Sequence, residues 1–213
     1  FRSLKSGISA IGRILDDKRG ATAASKPGAV TGSQSPEALA DADMVIEAAF
    51  EDLLLKKEIF AALARICGAR TLLATNTSSL DINEIASGVA NPERVLGAHF
   101  FSPAHVTKLL EIVRADRSSP EAIATLLSFA RRIKKAGVVV GVCNGFVGNR
   151  MLYAYRSQAE FMLEEGALPH QVDAAVQNFG FPMGPFAVGD LAGLDVGYRV
   201  RQQQRQLAPQ GER

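Results

Sequence analysis

Between residues 42 and 143 the sequence alternates short apolar runs with amphipathic segments, and this alternation is its strongest constraint on the fold. The runs "ADMVIEAAF", "TLLATN", "VLGAHF", "KLLEIV" and "VVVGVC" predict buried strands. Between some of them lie "LLLKKEIFAALARIC", which has helical spacing and Gly68 as a stop, and "SSPEAIATLLSFARRIKKAG". Strands that alternate with helices build a mostly parallel sheet with helices on both faces. The pattern therefore predicts an α/β fold with a doubly wound sheet.

Local signals predict where individual helices begin and end. Apolar residues at three- and four-residue spacing predict a first helix from Phe1 to about Asp17. In "SSLDINEIA" either Ser79 or Asp81 is expected to cap a short helix. The helix in "SSPEAIATLLSFARRIKKAG" has a cap, an early proline, basic residues in its last turn and Gly137 as its expected end.

The pattern changes after Asn144. The segment "GFVGNRMLYAYRSQAEFMLEEGA" and the residues that follow it have helical periodicity and no strand pattern. The sequence therefore predicts two domains, with residues 1–142 in the sheet domain and residues 143–213 in an all-helical domain.

Composition excludes several classes of protein. The 24 basic and 22 acidic residues give a net charge of +2, which argues against nucleic acid as a partner. The two cysteines are far apart and predict neither a disulfide framework nor a zinc site, so we expect no metal and a reducing compartment. No apolar run approaches about 18 residues and no signal peptide is recognisable, so we expect no membrane span and a cytoplasmic location.

Polar residues follow several of the predicted strands. Asn76, Thr77 and Ser78 come after one strand, Glu51 comes after another, and His99 lies near the end of a third. Ligands of parallel α/β sheets bind at the carboxyl ends of the strands. We therefore expect these groups to line one edge of the sheet.

His99 and Glu111 are candidates for a catalytic pair. A histidine whose second ring nitrogen is held by a carboxylate is a strong general base. The two residues meet if the loop "FFSPAHVTK" turns back like a hairpin. The alternative is a buried histidine with a backbone partner and a glutamate on an edge strand. However, an ionised Glu111 within the apolar run "KLLEIV" is costly unless it is paired, and His99 is its natural partner.

The other candidate residues leave their alternatives open. Ser78 is either a helix cap or a hydroxyl presented to a ligand, and Asn149, in the first turns of a helix, is either exposed or directed to a ligand between the domains. For Glu51 and Lys56 the default interpretation is an ion pair on the surface. The sequence contains neither a GxGxxG turn nor a Walker-type loop, and so no motif for a dinucleotide pyrophosphate.

Four ordered motifs resemble those of the 3-hydroxyacyl-CoA dehydrogenase family. They are "DADMVIEAAFEDLLLKKEIF", "LLATNTSSL", "RVLGAHFFSPAHVTKLLEIV" and "GFVGNRML", and the resemblance covers roughly residues 36 to 200. It implies a Rossmann-like first domain that binds NAD, a helical second domain, and oxidation of an L-3-hydroxyacyl-CoA to a 3-ketoacyl-CoA in fatty-acid β-oxidation. It also implies an acyl-CoA substrate and dimerisation through the helical domain.

The resemblance also implies roles for individual residues. His99 corresponds to the catalytic base and Glu111 to its orienting partner, while Ser78 and Asn149 correspond to substrate contacts. Cofactor-binding roles are implied for the set Glu51, Lys56, Asn76, Ser78 and Ser102, of which Ser102 stands where the family commonly has asparagine, in "HFFNP".

The ends of the chain depart from the family pattern. That pattern begins with a strand, a GxGxxG turn, a helix and a second strand, and it continues with further helices, so we expect a fragment whose first βαβ unit and last helices are missing. The segment "FGFPMGPFAVGDLAGLDVGYRVR" resembles the corresponding segment of the large multifunctional fatty-acid oxidation enzymes. The chain is therefore expected to form a homodimer or part of a larger multifunctional chain. Two alternatives stay open: a non-catalytic relative of the same fold, and a biosynthetic 3-hydroxybutyryl-CoA dehydrogenase.

Overall fold

The computed structural model of the protein describes residues 31–194 and Tyr198. The helix predicted from Phe1 to about Asp17 lies outside these residues. The strands are β1 (Met44–Glu47), β2 (Leu72–Thr75), β3 (Val95–Phe100), β4 (Leu109–Arg114) and β5 (Ala136–Gly141). The α-helices are α1 (Leu53–Ile66), α2 (Ile82–Ala86), α3 (Pro120–Arg132), α4 (Gly148–Glu164), α5 (Pro169–Phe179) and α6 (Pro185–Ala192).

The five strands of the described region form one sheet in the order β1-β2-β3-β4-β5. β1 pairs with β2, β2 with β3, and β4 with β5 in parallel, whereas β3 and β4 are antiparallel. This agrees with the prediction of a mostly parallel sheet. Because β4 runs opposite to β3, the end of β3 and the starts of β4 and β5 lie at the same edge as the carboxyl ends of β1 and β2.

Helices cover both faces of the sheet, as a doubly wound fold requires. On one face Phe60 of α1 and Ile82 of α2 pack on alternate strand residues such as Leu73. On the other face Leu126 of α3 packs with strand residues that include Ile112. Side chains of a strand point alternately to its two faces, so strands buried on both faces read as nearly continuous apolar runs. The prediction of a Rossmann-like α/β domain is confirmed.

The helix ends follow the local signals with one exception. Asp81 caps α2 by accepting a hydrogen bond from the Asn83 amide at 2.8 Å. Ser119 caps α3 in the same way, and Pro120 is its first residue. The prediction that Gly137 ends α3 is wrong, because the helix stops at Arg132 and Lys134 takes the positive φ of 58°.

Gly137 instead lies in β5, where its missing side chain makes room for α3. A Cβ atom at this position would come within 3.0 Å of the Ala130 Cβ atom and 3.2 Å of the Ile112 side chain. The glycine is therefore needed for close packing of helix on sheet.

After β5 the described chain is helical, with α4, α5 and α6 following one another. This confirms the change of pattern after Asn144. No helix in the described part of the chain has both the length and the apolar character that a bilayer crossing requires.

We predict that Gly97→Ala destabilises the fold, whereas Gly88→Ala does not. A Cβ atom on Gly97 would lie 2.6 Å from Ile82 Cδ1 and 2.7 Å from the Val113 Cβ atom, but one on Gly88 would meet nothing within 4 Å. Overpacking of this kind costs about 1–3 kcal/mol. Urea denaturation of both variants measures the difference, and equal midpoints would contradict the packing of β3 described above.

Candidate active site

His99 and Glu111 face each other across the antiparallel pair of β3 and β4. They are Cα partners in the register of the two strands, and His99 Nδ1 lies 2.7 Å from Glu111 Oε2. Both side chains are buried, with the whole residues 5% and 1% exposed. A carboxylate only accepts hydrogen bonds, so Nδ1 is the donor in this contact, and Nε2 is the acceptor when the imidazole is neutral. The chain reversal expected between these residues is therefore present, and it brings them together.

The second carboxylate oxygen of Glu111 is held by the start of α4. The backbone amides of Val147 and Gly148 donate to Oε1 at 3.0 Å and 2.8 Å. Three donors thus compensate the loss of water around a carboxylate on an apolar strand. They also tie β4 to the first helical turn after the sheet.

Two phenylalanine rings restrict the imidazole of His99. The ring centroid of Phe101 lies 4.5 Å from that of His99, and the centroid of Phe146 lies 5.6 Å away in an edge-on arrangement. Phe146 is fully buried and has a positive φ of 48°, which is strained for a bulky residue. The rings exclude water from the pair and limit the rotation of the imidazole.

A second buried ion pair lies at the ends of β1 and β2. Lys56 Nζ of α1 donates to Glu47 Oε1 at 2.7 Å and Oε2 at 2.9 Å, and the hydroxyl of Thr75 donates to Oε2 at 2.7 Å. Lys56 is 1% exposed and Glu47 is 6% exposed. The predicted ion pair of Lys56 with Glu51 is present, but the prediction that it lies on the surface is wrong for Lys56, whose ammonium is buried and hydrogen-bonded to Glu47.

Glu51 lies at the rim of this pair and holds the loop after β2. Its Oε1 atom accepts from the Thr77 hydroxyl at 2.6 Å, the Ser78 amide at 2.9 Å and the Ser78 hydroxyl at 3.2 Å. Its Oε2 atom lies 3.7 Å from Lys56 Nζ, and the side chain is 35% exposed. Glu51, Lys56 and Ser78 therefore form one connected group.

The structure places the three remaining candidates around these two pairs. Asn76 accepts a hydrogen bond from the Phe100 amide at 2.8 Å and so links the end of β2 to the end of β3. Asn149 is partly buried and follows Gly148, whose amide binds Glu111. Ser102 is exposed in the loop between β3 and β4.

Sequence reasoning missed Glu47 and the residues around the histidine pair. The rule that selected Glu111, a carboxylate in an apolar strand, applies equally to Glu47 in "MVIE" and would have found it. The amides of Val147 and Gly148 and the ring of Phe146 carry no signal in side-chain type. They become visible only through the three-dimensional contact with β4.

We predict that Lys56→Met destabilises the protein much more than Lys57→Met, although the two lysines are neighbours on α1. Loss of the Lys56 ammonium leaves Glu47 buried without its cation, which costs about 3–5 kcal/mol. Lys57 pairs with Glu84 at 3.2 Å on the surface, where the contribution of an ion pair is about 0–1 kcal/mol. Urea denaturation measures the free energy of unfolding of both variants. Similar decreases in the two would show that the Glu47–Lys56 pair is not the stabilising contact.

Known proteins resemble the chain over nearly all of its length. Residues 5–143 match the NAD-binding domain of the 3-hydroxyacyl-CoA dehydrogenase family, and residues 145–213 match its C-terminal domain. The peroxisomal bifunctional enzyme of Homo sapiens is 54% identical over 177 residues, which are 83% of this chain and 24% of that protein. The chain thus spans about a quarter of the length of the curated relatives it matches.

Two solved structures are similar to this chain in sequence and fold. The 3-hydroxybutyryl-CoA dehydrogenase of Escherichia coli is 39% identical with a TM-score of 0.82, and the match covers 93% of this chain and 44% of that one. The dehydrogenase part of multifunctional enzyme 1 from C. elegans is 44% identical with a TM-score of 0.60, covering 79% and 39%. The matched domains and these identities lead to one conclusion: the chain belongs to the 3-hydroxyacyl-CoA dehydrogenase family.

Proposed function

We propose that this chain carries the reacting groups of an NAD-dependent L-3-hydroxyacyl-CoA dehydrogenase that acts in fatty-acid β-oxidation. The observation that carries the proposal is the buried His99–Glu111 pair, with its 2.7 Å contact at the edge of the sheet where polar side chains converge. The family supports the reaction class, and the geometry supports the assignment of the base.

His99 acts as the general base through Nε2. Glu111 accepts the Nδ1 proton, which fixes the tautomer and stabilises the imidazolium that forms when Nε2 takes the hydroxyl proton of the substrate. In the reverse direction the imidazolium returns this proton to the carbonyl oxygen. Proton transfer of this kind contributes about 10²–10⁴-fold to the rate. The Phe101 and Phe146 rings keep the imidazole in one orientation.

The chemistry of the side chains fits the ribose and nicotinamide end of NAD. When bound, NAD supplies the acceptor for the hydride that leaves C3 of the substrate. Glu51 offers a partly exposed carboxylate oxygen, the type of acceptor that ribose hydroxyls need, and Asn76 lies at the neighbouring strand end. In this proposal Lys56 acts through Glu51, because its own ammonium is buried, and Ser102 is an exposed contact at the loop.

Ser78 and Asn149 hold the substrate from two sides. Ser78 lies in the loop after β2, and Asn149 lies in the first turn of α4. With the proposed division into residues 1–142 and 143–213, each domain contributes one of these contacts. Groups fixed in this way keep the reacting carbon and oxygen in a productive pose.

The cellular setting follows from the relatives. The human relative is named a peroxisomal bifunctional enzyme, and an Arabidopsis thaliana relative is named a peroxisomal fatty acid beta-oxidation multifunctional protein. Their names support a role for this chain as one part of a multifunctional β-oxidation enzyme, as an alternative to a homodimer. They favour a peroxisomal setting, whereas the cytoplasmic location expected from composition stays a prediction.

A second candidate is a 3-hydroxybutyryl-CoA dehydrogenase, favoured by the likeness to the E. coli enzyme. The two candidates share the chemistry and differ in the acyl chain they accept. A comparison of kcat/KM for four-carbon and long-chain 3-ketoacyl-CoA substrates separates them. The third alternative, a non-catalytic relative, predicts no turnover of any of these substrates.

We predict that His99→Gln in the full-length protein lowers kcat for reduction of acetoacetyl-CoA with NADH by about 10²–10⁴-fold, because glutamine cannot supply the proton. Binding of NADH, followed by fluorescence, is expected to stay close to that of the unaltered protein, since His99 does not hold the cofactor. Loss of NADH absorbance at 340 nm measures the rate.

The matched control is His170→Gln, which makes the same change at an exposed position of α5. Its kcat is expected to equal that of the unaltered protein. If His99→Gln turned over acetoacetyl-CoA as fast as this control, the assignment of the base would be wrong.

A further inference from the structure

Glu47 is a buried carboxylate that the proposed reaction does not use. It lies at the end of β1, is 6% exposed, and is the first of three charged groups in a row: Glu47, Lys56 and Glu51. The last of these binds Ser78 at the sheet edge. The buried charge of Glu47 can affect Glu51 through the Lys56 ammonium between them, because the protein interior screens charges poorly.

The hydrogen-bond geometry shows which carboxylate holds the lysine. An ammonium has three donors, and Lys56 Nζ directs them at Glu47 Oε1 (2.7 Å), Glu47 Oε2 (2.9 Å) and the Ala49 carbonyl (3.4 Å). Glu51 Oε2, at 3.7 Å, receives a charge contact from the ammonium and no hydrogen bond. The three N–H donors of Lys56 therefore all have other acceptors, and none is left for Glu51.

Glu47 is itself held firmly in place. The Thr75 hydroxyl donates to its Oε2 at 2.7 Å and the Ala49 amide donates to its Oε1 at 2.5 Å. Thr75 belongs to β2, so strand pairing fixes the position of the carboxylate. The lysine therefore has a rigid buried partner and a more exposed second one.

We propose that Glu47 is a positioning residue: it retains the Lys56 ammonium and so leaves Glu51 Oε2 free to accept a hydroxyl of a ribose. This inference rests on the proposed function, since the ribose belongs to NAD. Without the charge of Glu47, the ammonium would move onto Glu51, the nearest remaining carboxylate. Glu51 would then be occupied by an internal ion pair and lost to the ligand.

The experiment compares NADH binding by the full-length protein and by Glu47→Gln, followed by fluorescence titration. Loss of a charged acceptor for one ligand hydroxyl is expected to raise Kd by about 10- to 100-fold. In steady-state assays KM for NADH is expected to rise, while KM for acetoacetyl-CoA stays within about threefold. If Glu47→Gln only lowered the folded fraction of the protein, the concentration of active sites would fall but both KM values would stay unchanged.

Two further variants separate positioning from stability. Glu84→Gln removes the carboxylate of the surface pair with Lys57 and is expected to leave NADH binding unchanged. Glu47→Asp keeps a carboxylate beside the Lys56 ammonium and only shortens the side chain by one methylene, so the ammonium is still drawn away from Glu51. Glu47→Asp is therefore expected to bind NADH within about threefold of the unaltered protein, whereas Glu47→Gln, which has nearly the same shape as glutamate but no charge, is not.

Each outcome decides between the alternatives. Near-normal NADH binding by Glu47→Asp, together with weakened or lost binding by Glu47→Gln, supports the inference. Binding by Glu47→Asp that is weakened as much as in Glu47→Gln would overturn it, as would an unchanged Kd in Glu47→Gln. If the unaltered protein bound no NADH, the proposed function would fail and this inference with it.

Discussion

A carboxylate buried on an inner strand is the constraint on which the site depends. Glu111 lies in β4, is 1% exposed, and has apolar neighbours on both sides in the sequence. Its charge is tolerated because one oxygen accepts a hydrogen bond from His99 and the other accepts hydrogen bonds from two backbone amides at the start of the next helix. The same contacts that satisfy the charge orient the imidazole and attach α4 to the sheet. Stability and the geometry of the candidate site are therefore properties of one set of hydrogen bonds.

The sheet topology makes this arrangement possible. A parallel connection between β3 and β4 would place the starts of the two strands at the same edge and would separate His99 from Glu111. The antiparallel step instead makes them direct partners and brings the start of β4 to the edge occupied by Glu51 and Ser78. Both buried ion pairs lie near this edge, one at the ends of β1 and β2 and one between β3 and β4. Apolar packing on both faces, by α1 and α2 on one side and α3 on the other, leaves the edge for the polar groups.

Much of this was accessible from sequence because it follows from local rules. Strand periodicity, the caps at Asp81 and Ser119, and the cost of an unpaired Glu111 each required only a short stretch of chain. The partner of Lys56 was missed because Glu47 is nine residues away and a nearer carboxylate, Glu51, was available. Gly137 was predicted to end a helix because glycine commonly follows helices. The close approach of Ala130, which leaves no room for a side chain at Gly137, is a tertiary contact that a local rule does not detect. The contact of the Gly148 backbone amide with Glu111 could not be predicted either, because every residue except proline has such an amide.

The proposed mechanism requires that Nε2 of His99 faces the substrate oxygen that loses its proton. A crystal structure of the full-length protein with NAD and a 3-hydroxyacyl-CoA would show whether it does. We expect His99 Nε2 to lie within about 2.6–3.2 Å of the C3 oxygen while Nδ1 keeps its contact with Glu111. A complex in which another side chain takes that position, or in which the C3 oxygen lies out of reach of the imidazole, would contradict it.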